Sequence, residues 1–383
     1  MDIRTIKEGS VTIKAPEFDK ISSKAPVFYN PVMELNRDLS ILAIKSYQEE
    51  LGREISICDS FGGSGIRGVR YAKEIEAVEN VAISDINPLA VQCAMENIEL
   101  NGLNKVKVFK EDASILLRKC KGKFDVIDID PFGTPSPFTE SAGISLKSGG
   151  MLCTTATDTS ALCGTYKEPC IRKYGAMPLK TEYCHEMGIR ILAGFIARTV
   201  SKFKKYIEVK FAHSTEHYMR IYTVLQKGAK NTDESLKNIG YILHCFNCLN
   251  RTVVKGITPP MDSGCPVCGS KFKAAGPLWC GEIADADFIK RMITNIETSE
   301  INQNKKALKL LNIAYDESSA PATHYDLHGI SRNLKISAPR LNEVLETLKE
   351  QGYFASRTHF KPTGIKTNAS INILKEIFLD LQK

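Results

Sequence analysis

Between Glu54 and about Gly228, short apolar runs alternate with segments of helical period. ISICDS, VAISD, VKVFKED, FDVIDID and GGMLCTT each end in a polar residue or a turn. Runs of this kind read as strands buried on both faces, and with helices between them they predict a parallel sheet wrapped by helices. IEVKFAHSTEHY and MRIYTVLQKG then follow each other with no room for a crossover helix, so the sheet should close on an antiparallel strand. Ahead of this region lie a strand-like VTIK, Pro16, Pro26 and Pro31, and a helical pattern from Asp38 to Glu50. Behind it, the polar GAKNTDESLKN reads as a linker, followed by a cysteine cluster and helices over 284–312. Segments 325–334, 338–349 and 352–367 read as helix, helix and β-ribbon, a winged-helix-like order. The expected division is a lead-in over 1–50 that contributes to the site, an α/β domain over 51–228, and a smaller α+β domain over 229–383 with its cysteine cluster at 245–268.

Composition narrows this picture. The 383 residues, 43% hydrophobic and 25% charged, exclude a disordered chain and collagen-like or coiled-coil repeats. Lys plus Arg (51) exceed Asp plus Glu (44) for a net +7, a mild lean toward polyanionic partners. The polar start shows no apolar segment with a small-residue cleavage site, and EMGIRILAGFIARTV is interrupted by Arg190 and Arg198. A cytoplasmic protein with no membrane association and no evident obligate protein partner is expected, its twelve cysteines reduced or metal-bound.

The turn in ISICDSFGGSGIRG places Asp59 at a strand end and Gly63 and Gly65 ahead of a helix, where backbone can approach a ligand closely. Gly63, Gly65 and Gly68 also satisfy the dinucleotide-binding pattern, with Asp85 twenty residues beyond Gly65. Three features favour S-adenosylmethionine instead. Asp59 would repel a pyrophosphate but suits the methionine ammonium. Asp85 suits the ribose hydroxyls, while Glu111 and Asp112 end the next strand where the adenine amine would lie. The terminal hairpin matches the class I, Rossmann-like methyltransferase sheet. A turn needed only for packing is the ordinary alternative.

FDVIDIDPFGTPSPF carries the most chemistry. Its strand ends at Asp130-Pro131-Phe132-Gly133, at the carboxyl edge where open α/β sheets bind ligands. Methyl transfer to an exocyclic amine must overcome delocalisation of the nitrogen lone pair into the base and stabilise a cationic nitrogen. A carboxylate at Asp130 and the Pro131 carbonyl, accepting the N–H groups, would do both, with Phe132 stacking on an extracted base. Asp-Pro-x-Gly is also common turn chemistry, so Asp130 has a capping alternative and Phe132 a core one.

At these residues the chain resembles the tRNA guanine-26 N2-dimethyltransferases. FYNPVMELNRDLS, DSFGGSGIRG, SDINPLAVQCAMENIELNG, DIDPFGTP and STEHYMRIY occur in that family's order, and the resemblance covers nearly the whole chain. It implies a donor site formed by Arg37, Arg67, Asp85, Asp112 and Ala113, with Asp130 at the reacting amine and Phe28 a second platform opposite Phe132. Arg37 would take the methionine carboxylate bidentately, although Asp38 or Glu34 offers it an ordinary pairing.

Cys245-x2-Cys248 and Cys265-x2-Cys268, with 16 residues between the pairs, have the spacing of a four-thiolate zinc site, which leaves no open coordination position and is therefore structural. Family members differ in carrying this cluster, so the metal is inferred from the residues. His244 and Cys280 lie nearby without paired spacing, and the other seven cysteines show none.

The expected protein is thus a methyltransferase acting twice on the N2 amine of guanosine 26 of tRNA. Lys335, Arg340, Arg357, Lys361 and Lys366 are candidates for phosphate contact. Rival readings are methylation of adenine N6 or a protein glutamine amide, and a non-enzymatic zinc and winged-helix regulator that binds DNA.

Overall fold

The computed structural model describes residues 3–16 and 27–382. β1 (Ile3–Glu8) and β2 (Val11–Pro16) form a hairpin, and α1 (Glu34–Leu51) leads into the central sheet. There β3 (Ile55–Asp59), α2 (Ile66–Glu74), β4 (Val78–Asp85), α3 (Pro88–Leu100), β5 (Val106–Lys110), α4 (Ala113–Lys119), β6 (Phe124–Ile129), α5 (Ser136–Ser145) and β7 (Leu146–Ala156) alternate as the apolar runs predict. After α6 (Thr159–Leu162), α7 (Lys167–Tyr174) and α8 (Cys184–Ser201), β8 (Lys205–Thr215) and β9 (Tyr218–Lys227) complete the sheet.

The seven strands run in the order β5-β4-β3-β6-β7-β9-β8. The first five pair in parallel, and β9 inserts antiparallel between β7 and β8. This is the mixed sheet expected for the Rossmann-like class, with its antiparallel strand in the predicted place. The order reverses between β3 and β6, so the carboxyl ends of both border the crevice where such sheets bind ligands.

The segment expected to be a linker is instead α9 (Ala229–Leu236). Its Thr232 is buried and donates to the Gly228 carbonyl, so a polar stretch gains helical structure by packing on the sheet. β10 (Ile239–His244), β11 (Arg251–Lys255) and β12 (Lys273–Trp279) form a three-stranded antiparallel sheet ordered β11-β10-β12. After α10 (Ala286–Glu297) and α11 (Asn304–Asp316), β13 (Tyr325–Asp326), α12 (Leu327–Leu334), α13 (Leu341–Glu350), β14 (Ala355–Thr358), β15 (Lys361–Thr367) and α14 (Ile371–Asp380) make a separate small core. α10 and α11 pack on α1, so helices from the two ends of the sequence share one apolar layer over the central sheet. Gln303 N–H donates to Asp38 at 2.9 Å and Asn295 donates to Ser46 at 3.1 Å across that contact. No helix among the described residues is long and apolar enough to cross a membrane.

Candidate functional site

The turn after β3 is shaped by two glycines that no other residue replaces without strain. Gly63 has φ +53°, and a Cβ there would lie 2.9 Å from the Phe28 carbonyl. Gly65 has φ +78°, and its Cβ would lie 2.8 Å from that of Ala94. The turn thus wedges between the lead-in and α3, and Gly63 N–H donates to Asp85 Oδ2 at 2.8 Å. Asp85 Oδ1 accepts from Asn87 N–H at 2.9 Å, which fixes the carboxylate at the end of β4.

A cavity of about 690 Å³ opens at this carboxyl edge, within the range of small-molecule sites. Gly63, Arg67, Asp85, Asp130, Pro131, Phe132, Phe28 and Arg37 all line it, so the structure brings together most of the residues singled out for donor and acceptor. A cradle whose glycines exclude side chains, with a carboxylate at the adjoining strand end, fits a donor carrying a ribose. Asp59, Gly65, Asp112 and Ala113 are not among the lining residues. Asp112 caps α4, its Oδ1 accepting from Ser114 and Ile115 N–H.

Asp59 differs most from expectation. It is fully buried, and Gly68 N–H donates to it at 3.0 Å, so it braces the turn from beneath rather than facing the cavity. Burial, reinforced by the negative charge of Asp128, raises its carboxyl to about 7. Arg37 lines the cavity but is already paired: its Nε and Nη2 donate to Glu8 at 2.5 and 2.6 Å. Neither neighbour expected from the sequence takes that place, because the β1–β2 hairpin folds Glu8 onto α1.

Phe28 and Phe132 meet edge to face, with ring centroids 4.4 Å apart and planes at 82°. A base sandwiched between parallel rings needs about 7 Å between them, so the two rings are not a formed clamp in this arrangement. Phe132 is 54% exposed, an exposed face for stacking. Its turn is braced by Thr157, which exchanges two 2.8 Å hydrogen bonds with Gly133.

Beneath Asp130 lies a charge network that the sequence does not reveal. Arg67, placed by expectation at the donor, donates to Asp130 and, at 2.9 Å, to Asn36. Asp128 lies two residues before Asp130 and is fully buried; Arg220 grips it with bonds of 2.7 and 2.8 Å, and Tyr71 donates its hydroxyl to it. Burial opposes the charge on Asp128, yet the two guanidiniums outweigh it and hold the carboxyl below its ordinary range. The same balance holds Arg67 and Arg220 above theirs. The available signal was a charged residue inside the buried run FDVIDID and another in MRIYTV, since unpaired charges are almost never fully buried. Glu216 and His217 of the β8–β9 turn and Tyr218 at the start of β9 also line the cavity, and the sequence assigns them no role.

Cys245, Cys248, Cys265 and Cys268 converge with all four sulfurs within 4.8 Å of one another. Cys245–Cys268 and Cys248–Cys265 Sγ separations are 3.5 and 3.6 Å. A tetrahedron with zinc–sulfur bonds of 2.3 Å has edges of about 3.8 Å, so the donor set fits zinc. Each pair sits in a tight turn: Leu249 N–H donates to Cys245 O and Gly269 N–H to Cys265 O, with φ of +68° and +72°. His244 turns away to Tyr183, at 3.1 Å, and Cys280 lies outside the cluster.

Among the basic candidates, Arg340 is 87% exposed on its side chain, whereas Lys366 is buried and donates to Glu186 at 2.9 Å. Lys366 is therefore a core ion-pair partner and not a phosphate contact.

The chain matches the family model described as TRM: N2,N2-dimethylguanosine tRNA methyltransferase over residues 9–379. It is 51% identical over 383 residues to a tRNA (guanine(26)-N(2))-dimethyltransferase of Methanosphaera stadtmanae, covering 100% of this chain and 98% of that protein. A protein of the same description from Methanobrevibacter smithii is 56% identical over 379 residues, covering 99% and 98%. Among solved structures, Trm1 from Pyrococcus horikoshii with S-adenosyl-L-methionine superposes with a TM-score of 0.88 at 34% identity, covering 98% of this chain and 99% of that one. The chain belongs to the N2,N2-dimethylguanosine tRNA methyltransferase family.

Proposed function

We propose that this protein is a tRNA (guanine(26)-N2)-dimethyltransferase that uses S-adenosylmethionine to methylate the N2 amine of guanosine 26 twice. The observation that carries the reading is the single cavity shared by Gly63 and Asp85 on one side and by Asp130 and Phe132 on the other. S-adenosylmethionine, when bound, supplies an electrophilic methyl group on sulfur. Gly63 and Asp85 would hold its ribose side and Arg37 the methionine end, while Asp112 and Ala113, at the start of α4 outside the cavity lining, would reach the adenine only at its far edge. Arg37 reaches that role only by sharing or releasing Glu8.

Asp130 works on the acceptor. Arg67 fixes one carboxylate oxygen, and Asp130 accepts an N2 hydrogen together with the Pro131 carbonyl, so the amine lone pair turns out of conjugation and the growing positive charge is stabilised. A methylated exocyclic ammonium is a strong acid, so a carboxylate paired with arginine is a sufficient base for the proton it then loses. Phe132 stacks on the guanine, and Phe28 joins it if the rings part. The second methylation repeats these contacts with one N–H remaining.

We further divide the chain into a lead-in to residue 50, a methyltransferase domain to 228, and a tRNA-binding domain beyond. In the last, β10–β12 with the four cysteines form a zinc ribbon, and β13–α14 a winged helix. The reaction belongs in the cytoplasm, where tRNA is available. Incubation with methyl-labelled S-adenosylmethionine and tRNA, followed by nucleoside chromatography, should yield N2,N2-dimethylguanosine; a transcript carrying adenosine at position 26 should yield none. Label in N6-methyladenosine or in protein would refute the reading.

A further inference from the structure

A second cluster of soft metal ligands lies apart from the four-cysteine site. Cys163, Cys184 and His185 place one ligand atom each within 4.8 Å of one another. The Cys163 sulfur is 3.8 Å from His185 Nδ1. Ligands of a zinc ion with bonds of 2.3 Å to sulfur and about 2.05 Å to nitrogen stand about 3.5 Å apart, so little movement separates this arrangement from a coordinated one.

Two backbone features hold the cysteines in place. Cys163 follows α6, its N–H bonded to Thr159 O at 2.8 Å, and the next residue, Gly164, has φ +82° where a Cβ would meet the Leu179 backbone at 2.8 Å. Cys184 opens α8, where the helix terminus favours a thiolate. The His185 Nδ1 also lies 3.1 Å from Ser214 Oγ on β8, a contact the ring would give up when Nδ1 takes the metal. Cys163 is buried, while Cys184 and His185 are half-buried, which leaves a path for an ion.

We propose that Cys163, Cys184 and His185 form a second zinc site, with two thiolates, one imidazole and an open fourth position. Thiolate and imidazole together select zinc over magnesium or calcium. The site would bridge the segment after β7 to the start of α8. That segment carries Thr157, whose two bonds to Gly133 brace the turn of Asp130 and Phe132. A bound ion would therefore stiffen the acceptor side of the cavity from outside it. It rests on side-chain geometry and holds whether or not the acceptor is tRNA.

The test is metal stoichiometry of the reduced, zinc-loaded full-length protein, read by elemental analysis and by cobalt substitution. Two equivalents per chain are expected, the second the more readily removed by a chelator because it has three protein ligands. Cys245→Ser should retain the cobalt spectrum of a site with two thiolates, and Cys163→Ser the spectrum of a site with four. His185→Asn, at a half-buried position that should not upset folding, should weaken the second equivalent by more than the ten- to hundredfold, roughly, that loss of an outer-sphere partner costs. S-adenosylhomocysteine binding checks that each variant is folded. One equivalent in the wild type, unchanged in His185→Asn, would overturn the proposal, as would a Cys163–Cys184 disulfide found by mass spectrometry in the metal-loaded protein.

Discussion

The network under Asp130 makes a quantitative prediction for Asp128→Asn. In the wild type, two buried guanidiniums face two carboxylates: Arg220 grips Asp128 with two bonds, and Arg67 lies 3.5 Å from Asp128 while pairing with Asp130. Asparagine keeps one acceptor oxygen but removes the charge, and breaking a buried pair in this way costs about 3–5 kcal/mol. Part of the loss is recovered at Asp59. Asp128 contributes to the raised pKa of Asp59, so without its charge Asp59 ionises more readily and faces Arg67 as a carboxylate. The net cost should sit near the lower end, about 3 kcal/mol. Arg220→Met should cost a similar amount, because it leaves Asp128 short of a partner. The double variant should then be at least about 2 kcal/mol more stable than the two losses summed, since residues in one buried network couple by about 0.5–3 kcal/mol. Urea unfolding followed by circular dichroism on the four proteins gives the cycle directly. A single-variant cost under about 1 kcal/mol, or simple additivity, would show that these groups are not the coupled network described.

Further expectations follow from single contacts. Asp59 has a folded pKa raised to about 7 against about 3.9 unfolded, so the folded state holds the extra proton between those values and stability falls as pH rises through them. Asp59→Asn should remove that decline and exceed the wild type in stability at pH 8 by more than at pH 5; parallel pH profiles would contradict this. Lys366→Met should destabilise the protein by about 3–5 kcal/mol, because Glu186 is buried with it. Arg340→Ala should leave stability unchanged but weaken tRNA binding and lower its salt slope by about one. The reverse pattern would exchange their roles. Removing zinc from the four-cysteine cluster should unfold β10–β12 before the central sheet, with tRNA binding lost and donor binding retained; simultaneous melting of both would refute it.

What was legible in the sequence follows from range. The alternating runs and the helix-free final hairpin yielded the mixed sheet, because strand burial and connection length are local properties. The cysteine pairs were legible because knuckle spacing is local as well. The Arg67–Asp130 and Arg220–Asp128 pairs were not, since their members meet only once the order of β3, β6, β7 and β9 is known. The same holds for Glu8 on Arg37, which depends on where a hairpin at the chain's start folds. Asp59 was misplaced for another reason: a carboxylate at a strand end looks alike in sequence whether it faces a cavity or the helix start beneath it. Only the hydrogen bond from Gly68 and the complete burial decide.

The central claim is that Asp130 serves the acceptor amine and not the donor. Asp130→Asn measures it with two readings on one protein: S-adenosylhomocysteine affinity by calorimetry and dimethylguanosine formation on tRNA under saturating donor. The account predicts an affinity within about twofold of wild type, less than about 0.5 kcal/mol, and transfer reduced by about a hundredfold or more, the scale of a lost acid–base or charge-stabilising group. Loss of S-adenosylhomocysteine binding, or transfer that persists near the wild-type rate, would contradict it.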